Sequence, residues 1–176
     1  RPDAPPRLDL GQGEPLADFR ARLEALAAGT RKEPVVIVHI GDSHIAADSF
    51  SRGVRTRLQA LYGDAGRGQV IPANAYRYAV AQAVSLDAGG PWRPVMSLTS
   101  REGIFGLSGV RVEASSASAV MTLRAEGRFD WAEVTVATGP GQGSFEVMVD
   151  DRPAGRFSAA AAAPGAKTFR IDRAGR

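Results

Sequence analysis

The sequence predicts an α/β segment followed by an all-β jelly roll or sandwich, and three observations lead to this fold class. Residues 35–40 are apolar and mostly β-branched, as in a strand buried on both faces. A Gly-Asp-Ser turn at residues 41–43 then leads into helical spacing. From Trp92 onward, short alternating segments are separated by turn signals, with no convincing helix. We therefore divide the chain into residues 1–91 and 92–176.

The N-terminal region precedes the predicted strand. Residues 1–15 contain four prolines and two glycines, a composition that favours an extended leader with little to bury. Residues 16–28 are predicted to form a helix, because apolar side chains fall on one face at positions 16, 19, 23 and 26. A helix that leads into a buried strand suits an α/β layer.

The turn after the predicted strand has the pattern of a strand-to-helix junction. Gly41 ends the apolar run, and Asp42 and Ser43 are both good N-cap residues. The helix that follows is indicated by apolar residues spaced by three or four positions, namely Phe50, Val54, Leu58 and Leu61. Ser43 is therefore predicted to lie on a tight turn between a strand and a helix.

Ser43 has two interpretations at this stage. A serine at the carboxyl end of a parallel strand faces the crevice where open α/β sheets bind ligands. Its backbone N–H, with those of the first helical turn, can stabilise a developing oxyanion. The alternative is that Asp42 and Ser43 simply cap a helix, which is common for these residue types.

The length of the pattern around Ser43 favours the chemical interpretation. Residues 37–48, Ile-Val-His-Ile-Gly-Asp-Ser-His-Ile-Ala-Ala-Asp, resemble the first block of the SGNH (GDSL-type) hydrolases. The variant with a His directly after the Ser resembles one branch of this family, which holds bacterial peptidoglycan O-acetylesterases and polysaccharide O-acetyltransferases. Residues 58–68, which end in Gly-Asp-Ala-Gly-Arg-Gly, resemble the stretch that follows in that branch. The resemblance is good over residues 34–75 and extends to the rest only in layout.

This resemblance implies a role for each residue of the turn. Ser43 is the expected nucleophile and oxyanion donor, Asp42 orients the turn, and Gly41 permits the backbone bend. His44 is expected to hold the turn through a ring hydrogen bond. It is a poor candidate for the base, because adjacent residues on a helical turn point about 100° apart. Neither a cofactor nor a metal is implied.

The remaining catalytic groups of the family are not found in residues 1–176. The family takes its base and orienter from a late Asp-x-x-His, which this sequence lacks, and its histidines are His39 and His44. Asn74 is the sole Asn but lacks the Gly-x-Asn setting of an oxyanion donor. We therefore expect an incomplete α/β/α hydrolase domain, with the base supplied by polypeptide beyond Arg176 or by a second chain.

Three other polar residues near the turn have simpler interpretations. His39 lies inside the predicted strand and is interpreted as a packed core histidine. Asp48 is placed in the first helical turn, where its charge complements the helix dipole. Asp64 lies in a glycine-rich loop that lacks the Lys-Ser/Thr ending of a phosphate-binding loop, so we interpret this loop as a turn near the catalytic face.

The second half of the chain is predicted to contain seven short strands. Their approximate positions are 93–100, 109–114, 118–126, 132–138, 143–151, 153–158 and 166–172. In the family that the turn resembles, a jelly roll similar to carbohydrate-binding modules is inserted into the hydrolase domain at this point. Trp92 and Trp131 are interpreted as core residues, with sugar stacking as the alternative.

Composition excludes several classes of function. The formal net charge is +3, but basic residues are spread along the chain without the basic stripe and interleaved aromatics of a nucleic-acid-binding protein. The absence of cysteine excludes thiolate chemistry. No apolar run approaches the length of a membrane span. The chain begins at Arg1 without a Met, which indicates a processed or trimmed N-terminus, and the resemblance implies an exported, periplasmic or cell-envelope protein.

The sequence therefore predicts a serine esterase that removes O-acetyl groups from cell-wall polysaccharide through an acetyl-Ser43 intermediate. Peptidoglycan is the leading candidate for the polysaccharide. Three alternatives stay open. The first is a polysaccharide O-acetyltransferase of the same family, and the second is a non-catalytic glycan-binding module in residues 92–176. The third is a lipase or thioesterase of the same superfamily, which differs only in an acyl pocket that this segment does not define.

Overall fold

The computed structural model describes residues 14–73, 75–76 and 80–173. Residues 1–13 of the predicted leader and Asn74 lie outside them. The described residues contain three helices, α1 (Ala17–Ala27), α2 (Ser43–Ala46) and α3 (Ser49–Tyr62). They also contain eight strands: β1 (Val84–Gly89), β2 (Trp92–Met96), β3 (Val110–Ala114), β4 (Val120–Ala125), β5 (Trp131–Thr138), β6 (Ser144–Val149), β7 (Arg152–Ser158) and β8 (Gly165–Asp172).

The chain divides into two compact units. The first contains the described residues up to Ile45 together with Ser49–Ala65, and the second contains Ala46–Asp48 and the described residues from Gly66 onward. The helices α1 and α3 lie in the first unit and contact each other. All eight strands lie in the second unit. The molecule is thus mostly β, with few helices.

The helix predicted at residues 16–28 is confirmed as α1, one residue shorter at each end. The helix predicted to begin at the Asp42–Ser43 cap is confirmed only in its later part, because the chain is divided into α2 and α3 with Asp48 at positive φ between them. In α1, Leu23 is the buried residue of the predicted apolar face. In α3, the predicted face is less covered, because Phe50, Val54 and Leu61 are all exposed. Amphipathic spacing therefore specified the helix correctly without specifying what covers its apolar face.

The prediction of a buried strand at residues 35–40 is wrong for this structure. Residues 34–40 have no regular secondary structure, and Val36 and Ile40 are 83% and 84% exposed. Backbone N–H and C=O groups make a strand only when a neighbouring strand pairs with them. The strands of the described chain all pair with one another in the second unit instead.

All seven strands predicted in the second half are confirmed, with slightly different ends. The strands form four antiparallel pairs, β1 with β4, β2 with β3, β5 with β8 and β6 with β7. The β6–β7 hairpin turns at Asp150 and Asp151, which both have positive φ (49° and 62°), as a two-residue type I′ turn requires. The turn between these two strands is therefore formed by two aspartates whose backbone is in the left-handed conformation.

Strand β1 was not predicted. It pairs with β4 from Val84 opposite Ala125 to Gly89 opposite Val120, so sheet pairing crosses the proposed division at residues 91 and 92. The indole N–H of Trp92 donates to the carbonyls of Gly89 (3.1 Å) and Val120 (3.2 Å), which links β2 to this pair. The division into residues 1–91 and 92–176 stays a prediction.

The β-rich unit is held together by an aromatic cluster. Phe145 of β6, Phe157 of β7 and Phe169 of β8 have ring centroids 4.9 to 5.6 Å apart. Val95 and Ile171 are buried as well. Rings at these separations join the β5–β8 pair to the β6–β7 pair. A jelly roll or sandwich stays the prediction for how the four pairs assemble. Within the described residues, no helix is both long and apolar enough to cross a membrane.

Candidate active site

The candidate site is the Gly-Asp-Ser-His turn at residues 41–44. Helix α2 begins at Ser43 and has four residues, and Ser43 is exposed at its start. Asp42 Oδ1 accepts the backbone N–H of His44 at 3.0 Å, and the Asp42 carbonyl accepts the N–H of Ile45 at 3.1 Å. Asp42 thus occupies the capping position of this short helix and leaves the Ser43 hydroxyl at the surface.

The carboxylate of Asp42 also holds the His44 ring. His44 Nδ1 lies 3.2 Å from Asp42 Oδ1. Because an ionised carboxylate can only accept a hydrogen bond, Nδ1 carries the proton in this contact. The backbone N–H of His44, and after it the His44 ring, lower the pKa of Asp42 below its usual range. Asp42 is therefore ionised at neutral pH, with His44 as its partner.

Gly41 packs closely against the Ile45 side chain. A Cβ at position 41 would lie 2.5 Å from Ile45 Cγ1, which is closer than side-chain atoms approach one another. The predicted reason was freedom of the backbone to bend, whereas the structure shows a shortage of space against the first turn of α2. Either reason disfavours any larger residue at this position.

Asp48 is not where the sequence placed it. It precedes α3 instead of lying in its first turn, its φ is 53°, and it is 2% exposed. Arg67 Nη2 lies 2.9 Å from Asp48 Oδ2, and the backbone N–H of Gln82 donates to the same oxygen at 3.2 Å. The placement in the first helical turn is therefore wrong, and Asp48 is a buried, ion-paired residue directly before α3.

The glycine-rich loop after α3 has the expected backbone. Gly63, Gly66 and Gly68 have φ of 99°, 86° and 80°, in the region that favours glycine. Asp64 Oδ1 accepts a hydrogen bond from Gln59 Nε2 at 2.8 Å. This contact ties the loop to the last turn of α3. A role of the loop at the catalytic face stays a prediction.

The two histidines have different surroundings. His39 is exposed, and its ring meets the ring of Phe50 edge-on with centroids 5.2 Å apart. The interpretation of His39 as a buried core residue is therefore wrong. His44 is exposed and contacts Asp42. No group of three or more His, Asp or Glu residues suited to a metal ion occurs among the described residues.

Sequence reasoning found the four residues of the turn but missed the partner of Asp48. The structure brings Gly41, Asp42, Ser43 and His44 together in one short segment, as expected from their adjacency. Arg67 is 19 positions away from Asp48, and no local period connects them. The available signal was an arginine between Gly66 and Gly68, in a loop that was assigned to a turn.

Comparison with known proteins gives one structural relative. No family model matches the chain, and no curated protein matches its sequence. The structure is similar to a solved structure described as a peptidoglycan O-acetylesterase in action. The two share 29% sequence identity with a TM-score of 0.66 over 88% of this chain. The match spans 42% of the chain of that esterase, so this sequence corresponds to less than half of it.

Proposed function

We propose that this chain is part of an SGNH-type carbohydrate esterase that removes O-acetyl groups from cell-wall polysaccharide, with peptidoglycan as the first substrate. The observation that carries the proposal is the structural similarity to a peptidoglycan O-acetylesterase over 88% of the chain. The exposed Ser43 at the start of α2 is the second support, because a nucleophile must be accessible to its substrate.

In the proposed reaction, Ser43 Oγ attacks the carbonyl carbon of the acetyl group. The tetrahedral intermediate carries its negative charge on the former carbonyl oxygen, and the backbone N–H of Ser43 is one of its hydrogen-bond donors. The intermediate expels the sugar oxygen, which takes up the proton that Ser43 lost, and leaves acetyl-Ser43. Water then attacks the acetyl-enzyme and releases acetate. If a sugar hydroxyl attacks instead, the same intermediate gives an O-acetyltransferase.

The general base is proposed to come from polypeptide outside residues 1–176. A serine hydroxyl without a base is a weak nucleophile at neutral pH. His44 is held on Asp42, and adjacent residues on a helical turn do not face each other. The coverage of 42% of the esterase chain leaves room for further catalytic elements. They belong either to the same polypeptide or to a second chain.

The further polypeptide proposed above would also cover apolar side chains that are exposed on the first unit. Val36, Ile40 and the Phe50 face of α3 are exposed, although soluble domains rarely expose contiguous apolar surface. We propose that residues 1–91 are the N-terminal part of a hydrolase domain. Residues 92–176 are proposed to be an inserted jelly roll. Because peptidoglycan lies outside the cytoplasm, the protein is proposed to be exported to the periplasm or cell envelope.

The test is acetate release by the full-length protein from O-acetylated peptidoglycan and from p-nitrophenyl acetate. Ser43→Ala is expected to lower kcat by about 10⁴-fold or more, because loss of a serine nucleophile removes the covalent step. Ser85→Ala is the matched control, since Ser85 is an exposed serine on β1 that undergoes the same chemical change. Turnover by Ser43→Ala at the level of Ser85→Ala would reject Ser43 as the nucleophile.

A second function, glycan binding by the β-rich segment, is favoured by Trp131. This residue is 39% exposed, and the Arg170 guanidinium carbon lies 4.6 Å from its ring centroid. The prediction that Trp131 is a core residue is therefore wrong. Because the Arg170 guanidinium is itself paired with Asp172 at 2.8 Å, the support for glycan binding is the exposed part of the indole, which can stack on a sugar ring. Such binding is compatible with the esterase and would deliver substrate to it.

A further inference from the structure

The buried ion pair of Asp48 and Arg67 lies in the segment that follows the Ser43 turn. Asp48 stands between α2 and α3, five positions after Ser43, with its side chain 3% exposed. Arg67 Nη2 contacts Asp48 Oδ2 at 2.9 Å. Arg67 is itself mostly buried, with a side chain 20% exposed. A carboxylate this deeply buried is stable only with a cation and hydrogen bonds around it.

The main chain at Gln82 completes the contact. The N–H of Gln82 donates to Asp48 Oδ2 at 3.2 Å, and Arg67 Nε donates to the Gln82 carbonyl at 3.1 Å. A second hydrogen bond joins the same two segments, because the N–H of Val80, two residues before Gln82, donates to the carbonyl of Ala46, two residues before Asp48, at 3.0 Å. Three stretches of chain that are distant in sequence therefore meet at one carboxylate: residues 46–48, the glycine-rich loop, and the segment before β1.

The backbone at Asp48 depends on this arrangement. A φ of 53° is left-handed, which Asp tolerates better than most residues but which still requires surrounding contacts to hold it. Helix α2 has only four residues, and a single helical turn does not hold its own conformation in water. The end of this turn must therefore be fixed by contacts from other parts of the chain.

We propose that the Asp48–Arg67 ion pair positions Ser43, which makes Asp48 and Arg67 positioning residues for the esterase reaction; the inference rests on the proposed function. Ala46–Asp48 continues the turn that begins at Ser43, so fixing these three residues fixes where α2 ends. Ser49 Oγ donates to the His44 carbonyl at 3.2 Å and closes the turn from the other side. Neither Asp48 nor Arg67 contacts substrate in this proposal.

A positioning role of the ion pair can be distinguished from a purely structural role by comparing kcat, KM and the melting temperature. Misplacing a nucleophile by about 1 Å lowers the rate of the chemical step about 100-fold while leaving substrate binding in place. A change in kcat with an unchanged KM is therefore expected in protein that is still folded. General destabilisation would instead lower the amount of active enzyme and the melting temperature together.

The experiment compares Asp48→Asn, Arg67→Gln and the double variant in the full-length protein, with p-nitrophenyl acetate as the probe. Asn is chosen because it tolerates positive φ and removes only the charge. Each single variant is expected to lower kcat by about tenfold or more with KM within about twofold of wild type. The double variant is expected to lose no more than the worse single variant, because both changes break the same pair. Arg67→Lys keeps the charge and is expected to recover part of kcat.

Asp87→Asn is the matched control, because Asp87 forms an ion pair with Arg124 whose two side chains are exposed. It is expected to leave kcat within about twofold of wild type, as exposed ion pairs contribute little. Each variant is assayed well below its melting temperature, with its fold checked by near-UV circular dichroism. If Asp48→Asn does not fold, the Arg67 variants decide by the same criterion.

Two outcomes would overturn the positioning role. One is a folded Asp48→Asn or Arg67→Gln with wild-type kcat, and the other is a rise in KM with kcat unchanged. The Ser43→Ala variant tests the proposed function separately. Normal turnover by Ser43→Ala rejects the esterase mechanism, whereas an inactive Ser43→Ala beside a fully active Asp48→Asn rejects only the positioning role.

Discussion

His44 Nδ1 lies 3.2 Å from Asp42 Oδ1, the same oxygen that accepts the His44 backbone N–H at 3.0 Å. One carboxylate oxygen therefore holds both the main chain and the ring of the residue that follows Ser43. This geometry is consistent with a positional role for His44. It also explains why a histidine next to the proposed nucleophile need not be its base.

His44→Ala is expected to reduce kcat of the proposed esterase, assayed as the full-length protein, by no more than about tenfold. This is far less than the effect of Ser43→Ala, because the proposed proton acceptor is another group. Steady-state kinetics with p-nitrophenyl acetate measure the difference. His39→Ala is the control, since it removes an exposed histidine that contacts Phe50. A loss in His44→Ala as large as that in Ser43→Ala would identify His44 as the base.

The ion pairs that Glu113 forms with Arg93 and Arg111 are expected to make the stability of the β2–β3 pair depend on pH. The Arg111 side chain, which donates Nε–H to Glu113 Oε1 at 2.9 Å, holds the pKa of Glu113 below its usual range. Burial opposes this effect, and the charges of Arg93 and Arg111 add to the lowering. A lowered pKa in the folded state means that the stabilisation is present above the unfolded pKa. It is lost as the pH falls through the folded pKa.

Glu113→Gln is therefore expected to lower the melting temperature at about pH 7 and to have no effect at about pH 2. The free energy involved is no more than about 1 kcal/mol, because the side chain is more than a third exposed to screening solvent. Glu102→Gln serves as the control. A melting-temperature difference between Glu113→Gln and wild type that grows as the pH falls would contradict the assigned sign.

Gly90 lies in the connection between β1 and β2, where there is little room for a side chain. Its φ is 81°, and a Cβ there would lie 2.5 Å from the carbonyl oxygen of Ser118. Gly127 also has positive φ (96°), but a Cβ there would meet nothing within 4 Å. The two glycines therefore separate backbone strain from steric overlap.

Gly127→Ala is expected to lower the free energy of unfolding by about 1 kcal/mol, the cost of a left-handed alanine. Gly90→Ala is expected to cost about 2 kcal/mol or more, because the carbonyl of Ser118 must also move. Urea denaturation measures both variants. Equal losses would show that the loop at residues 115–119 yields without cost.

Trp131 predicts a surface for glycan binding in the full-length protein. Trp131→Ala is expected to weaken co-sedimentation with purified peptidoglycan by about tenfold, the effect of losing one exposed aromatic contact. Leu98→Ala is the matched control, because Leu98 is an exposed apolar residue outside the strands. Unchanged sedimentation of Trp131→Ala would remove the support that this residue gives to glycan binding.

Local pattern predicted most of the secondary structure. Apolar spacing located α1 and α3, and alternation between turn signals located β2 to β8. Strand β1 alternates as well, with Val84, Leu86 and Ala88 less exposed than Ser85 and Asp87, but its pairing partner β4 begins only at Val120. Residues 35–40 show the converse case, because a strand pattern without a pairing partner does not form a strand.

The sequence by itself determined which residues form the candidate site, since Gly41, Asp42, Ser43 and His44 are neighbours whose capping and turn preferences act within a few residues. Only the tertiary structure decided that Asp48 is buried, that Arg67 is its partner, and that His39 and Trp131 are exposed. Burial and ion pairing depend on which distant segments meet. That outcome follows from the packing of the whole chain and is not encoded in any local period.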